Sequence, residues 1–199
     1  VSDISAYFRD FTSALLGIQV TDSSGVSVNL DEGAARAVAM IESLGPAAHK
    51  AILVGNGGSA AIASHMQNDL CKVVGVRALV FNEAPLLTAI SNDDGYESAF
   101  PGLVDLWADP DDLLIAISSS GRSENILHST RAAVERKCQV ITFSGFSAQN
   151  PLRATGELNF YVPSDLYGNV EMAHSVLAHF LTDCAMTRAL TDQETSQVK

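Results

Sequence analysis

The chain has 199 residues, 47% apolar and 18% charged, enough to bury a sizeable core and too apolar for wholesale disorder. Twelve lysines and arginines against 23 acidic residues give a net charge of −11, the wrong sign for duplex nucleic acid or an anionic membrane surface. No apolar run approaches the ~20 residues that span a bilayer, and Asp3, Arg9 and Asp10 interrupt the first apolar residues, so that end does not read as a signal peptide.

Residues 1–47 are expected to form a helical pair. Ile4, Phe8, Phe11, Leu15 and Leu16 recur at helical spacing and predict a helix over 3–17. Ala34, Ala35, Val38, Ile41 and Leu44 predict a second over 31–45. Gly17 and Gly45-Pro46 punctuate their ends, and Thr21 to Ser27 reads as a polar turn. Two helices alone cannot bury their apolar stripes, so the pair must pack on the downstream core or on a neighbouring subunit.

From 48 to 190 the pattern alternates. Five short apolar runs predict strands at 51–54, 78–81, 113–117, 140–143 and 158–162. Helical periodicity occupies 59–72, 84–91, 97–107, 123–136 and 168–190. Continuous apolar strands alternating with helices mean a parallel sheet covered on both faces, hence a doubly wound α/β domain. Gly145 to Gly156 reads as a loop with a helical turn near Pro151, and 191–199 as a polar tail. Cys71, Cys138 and Cys184 are odd in number, widely spaced and without a CxxC, which argues for buried thiols in a reducing cytoplasm rather than disulfides.

Ligands of such folds bind beyond the carboxyl ends of the strands. After Val54 the chain reads Gly55-Asn56-Gly57-Gly58-Ser59 and then turns helical. Glycines let the backbone turn sharply and bring its N–H groups close to an anion, and a helix N-terminus adds partial positive charge. After Ile117 comes Ser118-Ser119-Ser120-Gly121-Arg122-Ser123, a second oxyanion cradle; Ser144-Gly145 is a weaker copy. No Walker motif and no GxGxxG is present. Neutral donors of this kind suit a phosphate monoester in an acidic protein.

His65 and Asp69 are spaced i, i+4 and share a helix face, two to three turns from the expected phosphate. On the last helix Ala173, Val176, Leu177, Phe180, Leu181 and Cys184 form one apolar arc, with Glu171, His174, Ser175, His179, Thr182 and Asp183 opposite. No lysine or arginine occurs from Gly168 to Thr187, which points to a polar face partly buried at a subunit interface. His65, Asp69, Glu171 and His179 are together a donor set for zinc or another transition metal.

The glycine turn with His65, the Asn92-Asp93 pair and the serine cluster resemble the sugar-isomerase (SIS) domain family. The leading helices and the Glu171…His179 helix are similar to its phosphoheptose isomerase branch. The resemblance implies a five-stranded parallel, flavodoxin-like sheet and a homotetramer with active sites between subunits. It implies isomerisation of sedoheptulose 7-phosphate to D-glycero-D-manno-heptose 7-phosphate through a cis-enediol, often with zinc. The family's metal positions fall on His65, Asp69, Glu171 and His179. Phosphate is expected on Ser118, Ser119, Ser120 and Ser123, and sugar hydroxyls on Asn56, Gly57, Gly58 and Asp93, with Ser59, Asn92 and Glu171 lining the site. Asp69 is expected to move the proton between C1 and C2 and His179 to act on the oxygens, a role that competes with metal binding.

Three departures stand out. The family usually has glutamate at Asp69, glutamine at Glu171 and often aspartate at Gly168. They leave three alternatives: a non-catalytic tetramer binding a protein partner such as a replication initiator, a sugar-phosphate sensor, and an isomerase for a different sugar phosphate.

Overall fold

The computed structural model describes residues 3–45 and 48–197, with the side chains of 188–197 left out of the description. Helix α1 (Ile4–Leu16) opens the chain, capped by Asp3, whose carboxylate accepts from the Ser5 N–H. Helix α2 (Leu30–Ser43) follows, capped by Asn29 and with Asp31 and Glu32 in its first turn. Gly45 at φ +59 lies just past its end; the expected stop at Pro46 lies outside the described residues.

The segment expected to be a polar turn is a β-hairpin. Strands β1 (Gln19–Asp22) and β2 (Ser27–Val28) pair antiparallel. Asp22 accepts from the N–H groups of Ser24 and Val26, and Gly25 supplies the positive φ of +75. Four residues are too few to show a period of two. Tertiary contact completes them: Val20 lies opposite Phe160, and the Asn159 amide donates to Thr21 and Asp22 carbonyls.

The remaining strands are β3 (Lys50–Gly55), β4 (Arg77–Val80), β5 (Leu113–Ser118), β6 (Gln139–Ser144) and β7 (Leu158–Tyr161). They run parallel, in sheet order β2-β1-β7-β6-β5-β3-β4. The expected five-stranded parallel sheet is therefore present, extended to seven strands by the hairpin on the edge of β7. That addition covers backbone groups an open edge would leave unpaired.

Between the strands lie α3 (Gly58–Asp69), α4 (Ala84–Asp94), α5 (Pro101–Trp107), α6 (Glu124–Glu135) and, last, α7 (Tyr167–Gln197). Every residue of β3 and β5 is buried, as their unbroken apolar runs require. Alternation divides them between two cores. Leu53 and Ile115 join residues of α2, α3 and α7; Ile52, Val54, Leu114 and Ala116 join residues of α5 and α6. The sheet is doubly wound as expected. A 3-10 turn at Pro151–Ala154 interrupts the loop after β6.

Four expectations change. The helix over 59–72 stops at Asp69 and continues as a single π turn, Leu70–Val74, closed by Gly75 at φ +81. No glycine or proline follows Gly168, so nothing halts α7, which passes 190 and runs to Gln197. Its buried face is also rotated from the expected arc. Ala173, Leu177 and Leu181 are buried, but so are His174 and Thr182, while Val176 and Phe180 are exposed. Apolar spacing sets an arc's width; which edge meets the sheet depends on neighbours. All three cysteines are free, although only Cys138 is buried and Cys71 is exposed.

Candidate active site

A cleft of about 230 Å³ opens beyond the carboxyl ends of β3 and β5, lined by Asn56, Gly57, Gly58, Ser59, Ser118, Ser119, Ser120, Ser123, Tyr167 and Glu171. Nine of these ten are sequence-predicted; Tyr167 and the closeness of Glu171 to the glycine turn are what folding adds. The turn needs its glycines. Gly57 sits at φ +55. A Cβ on Gly55 would lie 2.7 Å from the Ser59 carbonyl. One on Gly58 would lie 2.5 Å from Glu171 Oε1, so the carboxylate rests against the first turn of α3. A negative group there meets the positive end of the helix.

The second helix N-terminus at the cleft, that of α6, has Glu124 in its first turn, with its carboxylate 3.4 Å from His128 Nε2. Ser123 is at the N-cap of α6 but makes no side-chain cap bond; its hydroxyl accepts from Ser118 Oγ at 3.3 Å. Ser119 Oγ is buried with no hydrogen-bond partner. Ser120 Oγ accepts from the Arg122 N–H at 3.2 Å. Gly121, at φ +61, turns the loop, and a Cβ there would overlap the Asn150 side chain. An orphaned hydroxyl and an uncapped helix beside three further serines are groups suited to holding an anion.

The charged cluster lies further along the two helices that border the cleft. His65 Nε2 is 3.4 Å and His179 Nδ1 3.6 Å from Asp69 Oδ2, and the two imidazole rings stand edge to face with centroids 4.7 Å apart. Donor atoms of all three residues lie within 4.8 Å of one another. Two imidazoles and a carboxylate at such spacing fit a transition-metal ion. Glu171, expected as a fourth ligand, is outside this group; it lies one turn into α7 at the cleft, eight residues and ~12 Å of helix from His179.

Asn92 and Asp93 do not reach the cleft of their own chain. They are exposed at the end of α4, where the Asn92 amide donates to the Asp93 carboxylate at 2.8 Å. Gly168, where the family often has an acid, is overlain by Tyr7 of α1, whose hydroxyl would lie 2.9 Å from a Cβ there. Tyr167 packs its ring edge against Phe146 at 4.7 Å. Sequence gave no sign of Tyr7, Tyr96 or Tyr167; Asn125, two residues past the serine cluster, was within reach of motif reasoning.

His174, expected on the polar face, is wholly buried against Phe143, and its Nε2–H donates to the Ser144 carbonyl at 3.1 Å. Burial pushes its pKa down to about 4, so the ring is neutral. It ties α7 to the end of β6 one turn after Glu171.

An α/β domain with an anion cradle at the carboxyl edge of its sheet belongs to the class that grips phosphate esters. Comparison makes this particular. Residues 18–145 match the SIS domain family. A phosphoheptose isomerase of Helicobacter pylori is 32% identical over 141 residues, 68% of this chain and 73% of that one. The solved phosphoheptose isomerase of Neisseria gonorrhoeae superposes with a TM-score of 0.79 at 26% identity, covering 92% of this chain and 97% of the other. The Francisella tularensis phosphoheptose isomerase gives 0.79 and 26%, covering 92% and 95%. The chain belongs to the SIS domain family, on its phosphoheptose isomerase branch.

Proposed function

We infer that the protein is a sugar-phosphate aldose–ketose isomerase that converts sedoheptulose 7-phosphate to D-glycero-D-manno-heptose 7-phosphate through a cis-enediol. One observation carries the reading: α3 and α7 both start at the serine cleft, and both lead to the His65–Asp69–His179 cluster. An elongated molecule held by a phosphate at one end is thereby offered a carboxylate and imidazoles at the other.

Ser118, Ser119, Ser120, Ser123 and the first N–H groups of α6 hold the phosphate. Asn56, Gly57 and Gly58 orient the sugar chain, and Glu171 accepts from a hydroxyl. Asp69 takes a proton from one of C1 and C2 and returns it to the other, while His179 moves the proton between their oxygens. Zinc is the ion we assign to His65, Asp69 and His179. Bound there it would polarise the substrate carbonyl and stabilise the negative oxygen that develops, and His179 would then serve as a ligand in place of moving the proton.

We also propose a cytoplasmic homotetramer. Supporting it are apolar side chains that one chain leaves uncovered, Ile4 (70% exposed) and Phe8 (57%) on α1 and Val176 (39%) and Phe180 (49%) on α7. We assign the expected contact of Asp93 to a neighbour's cleft in such an assembly, as Asp93 is exposed at the end of α4. Among the described residues no helix is long and apolar enough to cross a membrane.

The test is turnover. Incubation with sedoheptulose 7-phosphate is expected to yield the aldose, with solvent deuterium appearing at the C1 or C2 position. Asp69→Asn should lower kcat by about 10²–10⁴-fold and leave inorganic phosphate affinity unchanged. No aldose from the wild-type protein overturns the isomerase; full turnover in the variant removes Asp69 as the base.

A further inference from the structure

The side chain of Asn56 is nearly spent before any ligand arrives. Its Oδ1 accepts from Asn125 Nδ2 at 2.9 Å and from the Tyr96 hydroxyl at 2.7 Å. Its Nδ2 donates to Asn125 Oδ1 at 2.9 Å. An amide oxygen has two lone pairs and an amide nitrogen two protons. The oxygen is therefore full and one N–H remains. Asn56 faces both the serine cleft and an adjoining cavity of about 490 Å³ walled by Tyr96 and Asn125.

The two asparagines alone do not decide this polarity. A reciprocal amide pair keeps both its hydrogen bonds if both amides rotate by half a turn. The one hydrogen-bonding position left on Asn56 would then be a lone pair instead of an N–H. Tyr96 breaks the tie, because a phenol donates a hydrogen bond better than it accepts one, and 2.7 Å is the usual O–H···O separation. The backbone presents Tyr96 deliberately. Gly95, at φ +85, turns the chain out of α4, and Tyr96 opens a short 3-10 turn, 40 residues from Asn56.

We propose that Tyr96 is a positioning residue for the substrate: by filling the second lone pair of Asn56 it commits that amide to donate, so that the glycine turn receives an acceptor oxygen of the sugar phosphate. Tyr96 touches no reacting atom in this arrangement. It acts through Asn56, and a sugar that turns a donor-only group toward Asn56 is disfavoured. The identity of the substrate rests on the isomerase reading; the hydrogen-bond polarity does not.

Tyr96→Phe tests this, since it keeps the half-exposed ring and removes one hydroxyl. Affinity for sedoheptulose 7-phosphate, relative to that for inorganic phosphate, should fall about five- to tenfold, the worth of one hydrogen bond. Phosphate affinity itself and the Tm should stay unchanged, because the serine cradle lies elsewhere. In an Asn56→Ala background the same Tyr96→Phe change should have no further effect, as expected of a residue acting through another. An unaltered affinity ratio in Tyr96→Phe, or an equal loss with and without Asn56, overturns the proposal. Absence of turnover in the wild-type protein defeats the isomerase reading alone, because the affinity ratio is read from binding.

Discussion

The two edges of the sheet treat their polar groups in opposite ways. At the amino edge, Lys50 begins β3 and Asp112 precedes β5. Lys50 Nζ donates to Asp109 at 2.7 Å and to Asp112 at 2.5 Å. Asp112 also accepts from the N–H groups of Lys50 and Asp109. Burial pulls the Lys50 amine down, but its bonds to the two carboxylates outweigh this and hold it above its ordinary value. Cys138 donates to the Asp109 carbonyl, and burial, with Asp112 nearby, pushes its thiol up to about 11, far from reactivity. Every charge in this knot has a partner.

The carboxyl edge of the same strands has neutral hydroxyls, an orphaned Ser119 and an uncapped α6. Charge that is paired within the chain holds the fold together. An unpaired buried hydroxyl beside an uncapped helix, at the mouth of a cleft, is capacity for a ligand. The difference separates a structural cluster from a binding site without reference to any relative.

The largest test of that contrast is Asp112→Ala. It takes one of the two carboxylates from the Lys50 amine, leaves the N–H groups of Lys50 and Asp109 without their acceptor, and should cost about 3–5 kcal/mol in urea unfolding, while the folded fraction binds phosphate as before. A loss below ~1 kcal/mol, or a weakened cradle, would erase the distinction between the edges.

His174 gives the next effect. Its folded pKa of about 4 is below the ordinary value of 6.5, so the unfolded chain binds the extra proton in that window. Stability is present above pH 6.5 and declines by a few kcal/mol as pH falls toward 4. His174→Gln should flatten this part of the profile in thermal melts taken across pH; an unchanged slope would mean the ring is not held neutral.

Ser119→Ala sharpens the comparison from the other side. Removing an unpaired buried hydroxyl should leave the Tm unchanged or slightly raised, yet weaken phosphate-ester binding about tenfold by calorimetry. A drop in Tm with unaltered binding would make Ser119 structural. The smallest effect is expected from Gly58→Ala, which displaces the Glu171 carboxylate: affinity for the sugar phosphate falls severalfold and stability changes by less than ~1 kcal/mol. Tight binding that survives the change would show that Glu171 does not touch the sugar.

Much of this was open to reading from residue order. The apolar runs of β3 and β5 declare buried parallel strands, the glycine turn and the serine cluster follow them directly, and His65 and Asp69 share a helix face by spacing alone. Those are relations within a dozen residues, and local geometry settles them. The hairpin β1–β2 escaped because so short a strand has no period and is completed by β7, more than 130 residues away. The buried side of α7 escaped because a helix with apolar residues on much of its girth is oriented by what it packs on; that choice buried His174 and left Phe180 exposed.

Sequence by itself determined the alternating architecture, the lysine-free glycine turn and serine cluster at the carboxyl edge, and the residue types able to move a proton. Only the tertiary structure decided that Glu171 lies against Gly58 rather than with the histidines, that Asn92 and Asp93 miss their own cleft, and that Tyr96 and Asn125 meet at Asn56. Contacts spanning 40 and 69 residues are fixed by strand order and crossover packing. Period and motif record only what a segment does with its neighbours in the chain.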